Sequence, residues 1–171
     1  MNIDEFKSRL GAGGARPNQF RVILNFPSYV NAPDNTYSLL VSGAALPAST
    51  VNPAIIQYRG REVKLAGERI FDPWTITVVN DTGFSLRRPF EAWMEGMNGK
   101  LDNEGVLTPS DYQVDVIVQH LDRNDEVLDG GNYTLQDAFP IQMSEIGLQY
   151  AQNDIIEEFT VTFQYQNYLV A

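Results

Sequence analysis

Alternation of apolar and polar side chains is the feature that most restricts this chain. Near the C-terminus Phe159, Val161, Phe163 and Tyr165 alternate with Glu158, Thr160, Thr162, Gln164 and Gln166. A strand sends successive side chains to opposite faces, so this run has one apolar face and one polar face. The same period of two runs through Phe20, Val22, Leu24 and Phe26, and through Trp74, Ile76 and Val78 against Thr75, Thr77 and Val79. Over 111–120, Tyr112, Val114, Val116, Val118 and His120 share one face, and Asp111, Gln113, Asp115, Ile117 and Gln119 share the other. Further strands are expected over 37–42, 126–128, 133–140 and 141–149. Residues 55–58 and 62–65 are expected to pair as a hairpin through Arg59-Gly60-Arg61, where Gly60 suits a positive φ.

Two segments break this period. Over 85–97, Phe90, Trp93, Met94 and Met97 fall at i, i+3, i+4 and i+7, which makes one apolar stripe on a helix. Pro89 lies in its first turn, where no intrahelical N–H bond is lost. Residues 2–10 read as a short helix with Ile3, Phe6 and Leu10 on one side and Asp4 and Glu5 in the first turn. A glycine-rich stretch, Gly11-Ala12-Gly13-Gly14-Ala15, ends it. The expectation is a mainly β fold: an antiparallel sandwich or barrel with one packed α-helix and a short N-terminal helix. All 171 residues fit one domain. Within it, 1–15 form the N-terminal helix and glycine-rich arm, and 46–72 an extended arm.

Composition removes several kinds of chemistry. The chain has no cysteine and one histidine, His120. A disulfide framework, a thiolate metal site, a cysteine nucleophile and a multi-histidine metal site are therefore impossible. His120 sits beside Val118 on an apolar strand face, which suits a packed or interface histidine better than a catalyst. Asp122, Asn124 and Glu126 have the first spacings of a calcium loop, but Val127 and Tyr133 stand where glycine and glutamate are required. No catalytic, cofactor or metal residue is assigned. No apolar run reaches the roughly 18 residues of a membrane span, and residues 1–6 do not open a secretion signal.

Charge is uneven along the chain. Residues 1–89 carry 10 basic and 7 acidic side chains, whereas 90–171 carry 2 basic and 15 acidic. Such a chain does not grip nucleic acid, because grip comes from Lys and Arg displacing counterions from phosphate. The polar faces at 111–119 and 158–166 hold Asp, Glu, Gln and Thr and no Lys or Arg. In a monomer this is the wet side of a sheet; in a ring it is the wall of a channel.

Several motifs together resemble the tail tube proteins of contractile-tailed, T4-like bacteriophages. They are Ala15-Arg16-Pro17-Asn18 with Phe20, then Ala45-Leu46-Pro47-Ala48, and the run 66–81, which begins Ala66-Gly67-Glu68-Arg69-Ile70-Phe71-Asp72-Pro73-Trp74. Phe90 and Trp93 follow in order, and Phe159-Thr160-Val161-Thr162 closes the likeness. The glycine-rich 11–14 segment and the turn over 27–35 depart from the pattern.

The resemblance implies a structural virion protein. Its subunits form hexameric rings that stack head to tail into a hollow tube inside a contractile sheath, with DNA passing through unbound. Implied partners are further copies of the chain, the sheath protein, a baseplate tube initiator and a tail terminator. The implied location is the virion, and the host cytoplasm during assembly. On that reading Leu46, Val51, Ile55, Ile56, Val63 and Leu65 are arm residues buried between rings. Asp111, Asp115, Glu158, Thr160, Thr162 and Gln164 are candidates for the channel wall, and Phe90, Trp93, Met94 and Met97 are the core helix. The alternatives are the tube of a type VI secretion or extracellular contractile injection system, a baseplate paralogue, a monomeric β-sandwich binding module and a carboxylate hydrolase.

Overall fold

The computed structural model describes residues 2–10, 14–32, 35–106 and 108–171. The N-terminal helix α1 (Ile3–Arg9) is capped by Asn2, whose side chain accepts the Asp4 N–H, and buries none of its residues. Strand β1 (Phe20–Ile23) follows, then a 3-10 turn (Asn35–Leu40), β2 (Val41–Gly43), β3 (Ser49–Tyr58), β4 (Arg61–Phe71) and β5 (Trp74–Val79). Helices α2 (Arg87–Met97) and α3 (Pro109–Tyr112) lead into β6 (Val114–Leu121), β7 (Val127–Met143), β8 (Glu158–Gln164) and β9 (Asn167–Val170). All pairings are antiparallel, in the order β1-β6-β7-β8-β5-β2 with β9 on β7, while β3 and β4 pair with each other.

Strand β7 belongs to two layers. Residues 127–138 pair with β6 and 133–136 also with β9; 139–143 pair with β8. The change occurs at a bulge. Val116 opposes Leu135 but Val114 opposes Ala138, which leaves one extra residue in β7. Asp137 takes up the bend at φ 54°, and its N–H donates to the Asp115 carboxylate at 3.2 Å. Bent there, β7 wraps a first layer (β1, β6, β7, β9) over a second (β7, β8, β5, β2) as a nearly closed barrel.

The core lies between the layers and follows the period of two. Val22, Val116, Val118 and Leu135 point in from the first layer; Ile76, Val78, Phe159, Val161 and Phe163 point in from the second. Helix α2 closes one side with Phe90 and Trp93, both fully buried, while Met94 and Met97 are half-buried. The rings of Phe26 and Phe90 lie 5.3 Å apart and those of Trp93 and Phe163 6.0 Å apart. The Trp93 indole N–H donates to the Tyr112 carbonyl at 2.8 Å, so the buried polar atom is satisfied. Ahead of the helix, the Asp81 carboxylate accepts the Ser85 N–H and hydroxyl, both at 2.7 Å.

Several expected elements differ. The strand expected over 37–42 is a 3-10 turn followed by three strand residues. Leu40 and Val41 are adjacent and both face the core while Leu39 is 84% exposed, which alternation cannot produce. The strands expected over 133–140 and 141–149, with 126–128 before them, are one strand ending at Met143; 144–157 hold no strand. Strand β1 stops at Ile23, because the Asn25 side chain bonds the Asp115 carbonyl and Pro27 follows. Asp111 does not share a strand face with Asp115. Pro109 opens a helical turn that carries Asp111, and β6 begins at Val114.

Two outcomes follow from this core. Trp93→Ala removes a fully buried indole and its hydrogen bond, and destabilises the fold by about 3–5 kcal/mol in thermal or denaturant unfolding. Asp81 titrates below the ordinary carboxylate value, first because the Ser85 hydroxyl donates to its ionised form and then because the Ser85 N–H does. Its contribution is complete above the ordinary carboxylate value and is lost as pH falls through the lowered one. Asp81→Ala therefore flattens that part of the acid-unfolding curve.

Candidate assembly surfaces

The β3–β4 hairpin is the largest unpartnered element. Ten residues of β3 at about 3.3 Å each reach roughly 30 Å. Every residue from Thr50 to Ile70 is exposed. Its tip is a two-residue turn in which Arg59 and Gly60 both have positive φ (47° and 80°), the geometry that matches the twist of paired strands. The Arg59 guanidinium lies 5.4 Å from the centre of the Tyr58 ring.

Register decides which arm residues act together. Opposed residues share a face, so Ala54/Leu65, Ile56/Val63 and Tyr58/Arg61 form one side. Ile55/Lys64 and Gln57/Glu62 form the other. Ile56, Val63 and Leu65 therefore make one apolar stripe, and Ile55 is turned away from it. Nearer the root, β4 carries an extra residue between the pairs Val51/Arg69 and Pro53/Ala66. Gly67 occupies that bulge, where a Cβ would stand 2.5 Å from the Asn52 carbonyl oxygen. Val51 lies beyond the bulge on the Ile55 side, and Leu46 lies before the hairpin, beside Phe20 and His120.

The polar strand faces lie on different layers. Glu158, Thr160, Thr162 and Gln164 are on the outside of the second layer with Thr75 and Thr77. The Thr75 and Thr162 hydroxyls lie 2.9 Å apart, and the Ser42 hydroxyl donates to the Glu158 carboxylate at 3.0 Å. Asp115 is on the outside of the first layer, in company with Arg21, Ile23, Ile117 and Gln119. Its carboxylate holds the β7 bulge and its carbonyl accepts from Asn25, so its role in the fold is already fixed. Asp111 lies on α3, on neither strand face.

A third surface was not legible as such. Residues 144–158 wrap an open cleft of about 730 Å³ lined by Ile146, Leu148, Tyr150, Ile155 and Ile156. Leu148 is 79% exposed and Ile156 70%. The available signal was negative: Ile155 and Ile156 are adjacent, and alternation fails through the segment.

The remaining candidates have structural roles. A ring nitrogen of His120 lies 2.9 Å from the Arg16 carbonyl, which ties the N-terminal segment to β6. Asp122 accepts the N–H groups of Asn124 and Glu126 at 2.7 and 3.0 Å, which closes a β-turn. No cluster of three potential metal ligands occurs among the described residues.

On the apolar stripe, Ile56→Asp is expected to lower self-association at least tenfold in analytical ultracentrifugation, while Ile55→Asp, beside Lys64, has a much smaller effect. Both variants should keep the wild-type circular dichroism spectrum.

The family described as phage tail tube protein matches residues 15–171. A tail tube protein of Serratia phage KSP90 is 29% identical over 167 residues, covering 95% of this chain and 93% of the relative. Tail tube protein gp19 of Enterobacteria phage T4 is 28% identical over 163 residues, covering 95% and 96%. Among solved structures, a chain of the anti-feeding prophage baseplate has the same fold at TM-score 0.65 and 15% identity, over 92% of this chain and 95% of that one. A chain of an extracellular contractile injection system sheath-tube complex gives TM-score 0.59 at 14% identity, over 96% and 97%.

Proposed function

Because this chain belongs to the phage tail tube protein family, we propose that it builds the hollow inner tube of a contractile tail. Hexameric rings stack head to tail, and the genome passes through the bore into the host. The observation that carries the assembly is the β3–β4 hairpin, which extends away from the core with an apolar stripe that nothing in its own chain covers. Ile56, Val63 and Leu65 are about half exposed, so burying the remainder against another copy gains roughly 1 kcal/mol for each side chain. A ring engages several hairpins at once, so small gains per copy add up to a stable tube.

The second layer supplies the channel wall in this reading. Its outer face carries Thr75, Thr77, Glu158, Thr160, Thr162 and Gln164, and none of these is basic. The outer face of the first layer includes Arg21 and the apolar Ile23 and Ile117, a poorer lining for a polyanion. Hydroxyl and amide groups offer DNA no counterion-releasing contact, so the duplex slides without being held. Glu158 repels phosphate only at short range, because charge is screened over about 8 Å at physiological salt.

The tube performs no covalent chemistry in this proposal. Sheath, baseplate initiator and terminator are its partners, and the similar folds found in a sheath-tube complex, a baseplate and a sheath/tube terminator support that choice. The protein assembles in the host cytoplasm and resides in the virion tail.

Electron microscopy of the purified chain tests the assembly: rings or tubes are expected, and a monodisperse monomer at high concentration overturns it. Thr160→Lys with Thr162→Lys tests the wall. Tubes should persist while DNA passage slows in low salt and recovers in high salt. If Gln119→Lys on the first layer gives that phenotype instead, the wall assignment is wrong.

A further inference from the structure

We infer that the cleft formed by residues 144–158 is the socket that receives the β3–β4 hairpin of a copy in the adjoining ring. The inference rests on the stacked-ring reading above and names the receiving surface.

The first argument is position. The hairpin is rooted where β5 begins and β8 ends. There Phe71 packs against Tyr165 and Tyr168, with ring centres 5.9 and 5.7 Å apart, and the Tyr165 hydroxyl donates to the Ala48 carbonyl at 3.3 Å. The cleft is rooted at the other end of the same two strands. The Asn80 N–H donates to the Glu157 carbonyl at 2.8 Å, and the Ser144 N–H donates to the Thr160 carbonyl at 2.9 Å. Six residues of β5 separate the two roots by roughly 20 Å. The roots of projection and cleft therefore lie at opposite ends of the β5–β8 pair. A contact between unlike surfaces at opposite ends repeats without closing, which is what a stack requires.

The second argument is chemistry. The hairpin offers an apolar stripe flanked by Arg59, Arg61, Lys64 and Arg69, against only Glu62 and Glu68. The cleft segment offers exposed Leu148, Tyr150, Ile155 and Ile156 together with Glu145, Asp154 and Glu157, and the one guanidinium that bonds it, Arg87 on the Ser144 carbonyl at 3.3 Å, is paired with Glu91 at 3.1 Å. Apolar surface meets apolar surface, and the flanking charges are opposite. That complementarity favours the correct pairing and speeds encounter. The hairpin is a better fit than α1, whose stripe of Ile3, Phe6 and Leu10 is flanked by both Asp4-Glu5 and Lys7-Arg9.

Disulfide trapping tests the inference cleanly, because the chain has no cysteine of its own. Full-length Ile56→Cys is combined in turn with Leu148→Cys, Tyr150→Cys and Ile155→Cys, assembled, and oxidised with copper phenanthroline. At least one pair should give a ladder of multimers on a non-reducing gel, from tubes and not from dissociated subunits. Intact tubes with no ladder from any pair overturn the socket and leave the tube standing, as does a ladder obtained with Phe6→Cys in place of Ile56→Cys. Failure of the unmodified chain to form tubes overturns both readings. A charge exchange gives a second measurement. Arg59→Glu with Arg61→Glu should raise the concentration needed for elongation about tenfold, and Glu145→Arg with Asp154→Arg should recover most of that loss. Equal loss in the single and combined exchanges counts against the socket.

Discussion

The bend in β7 is the constraint on which the rest of the structure depends. A single 17-residue strand pairs with β6 and β9 along one part and with β8 along the other. Asp137 makes the change possible by taking a left-handed conformation, and the Asp115 carboxylate holds its N–H there. An aspartate tolerates that conformation at low cost. Without the bend β7 would continue as one flat ladder and the inner faces of the two layers would not meet. With it, Val116, Leu135, Ile76 and Phe163 close on one another, and Phe90 and Trp93 find a cavity of the right shape.

Two-layer packing also separates the surface into regions with different properties. Each strand in the core has an outer face of opposite character, so hydroxyl-rich and mixed faces end up on different layers. The hairpin and the 144–158 cleft are connections at the two ends of β5 and β8, and connections escape the alternation that the core imposes. Such connections are able to expose large apolar side chains without disturbing the packing inside. Exposed apolar groups of this extent on a folded chain point to assembly.

An acidic chain suits a conduit for DNA for the same reason that it makes a poor DNA binder. The few basic groups after residue 89 are Lys100 and Arg123, and most of the positive charge lies earlier, on the N-terminal segment and the hairpin. In the proposed tube, cations thus sit on the surfaces through which copies would meet, and the wall has none. Attraction between copies and indifference to a passing polyanion would then come from one uneven distribution of charge.

Much of the fold was legible because period two and period 3.6 are properties of the backbone alone. The inward residues of β5, β6 and β8 and the stripe Phe90–Trp93 could be named from spacing. The apolar positions Val51, Ile55, Ile56, Val63 and Leu65 could be named too, since they precede the clear alternation of β5. Which of them act together could not, because a bulge at Gly67 and the register of the hairpin divide Ile55 from Ile56. Asp111 and Asp115 were separated by a proline-initiated turn, and the strand expected over 141–149 stops at Met143, where β7 ends. By itself, then, the sequence determined which strand faces are apolar, where the main helix packs, the chemistry its composition forbids and where its charges lie. Only the tertiary structure decided which polar face belongs to which layer and that hairpin and cleft are rooted at opposite ends of the β5–β8 pair. Those facts depend on pairing between residues far apart in the chain, which no local period encodes.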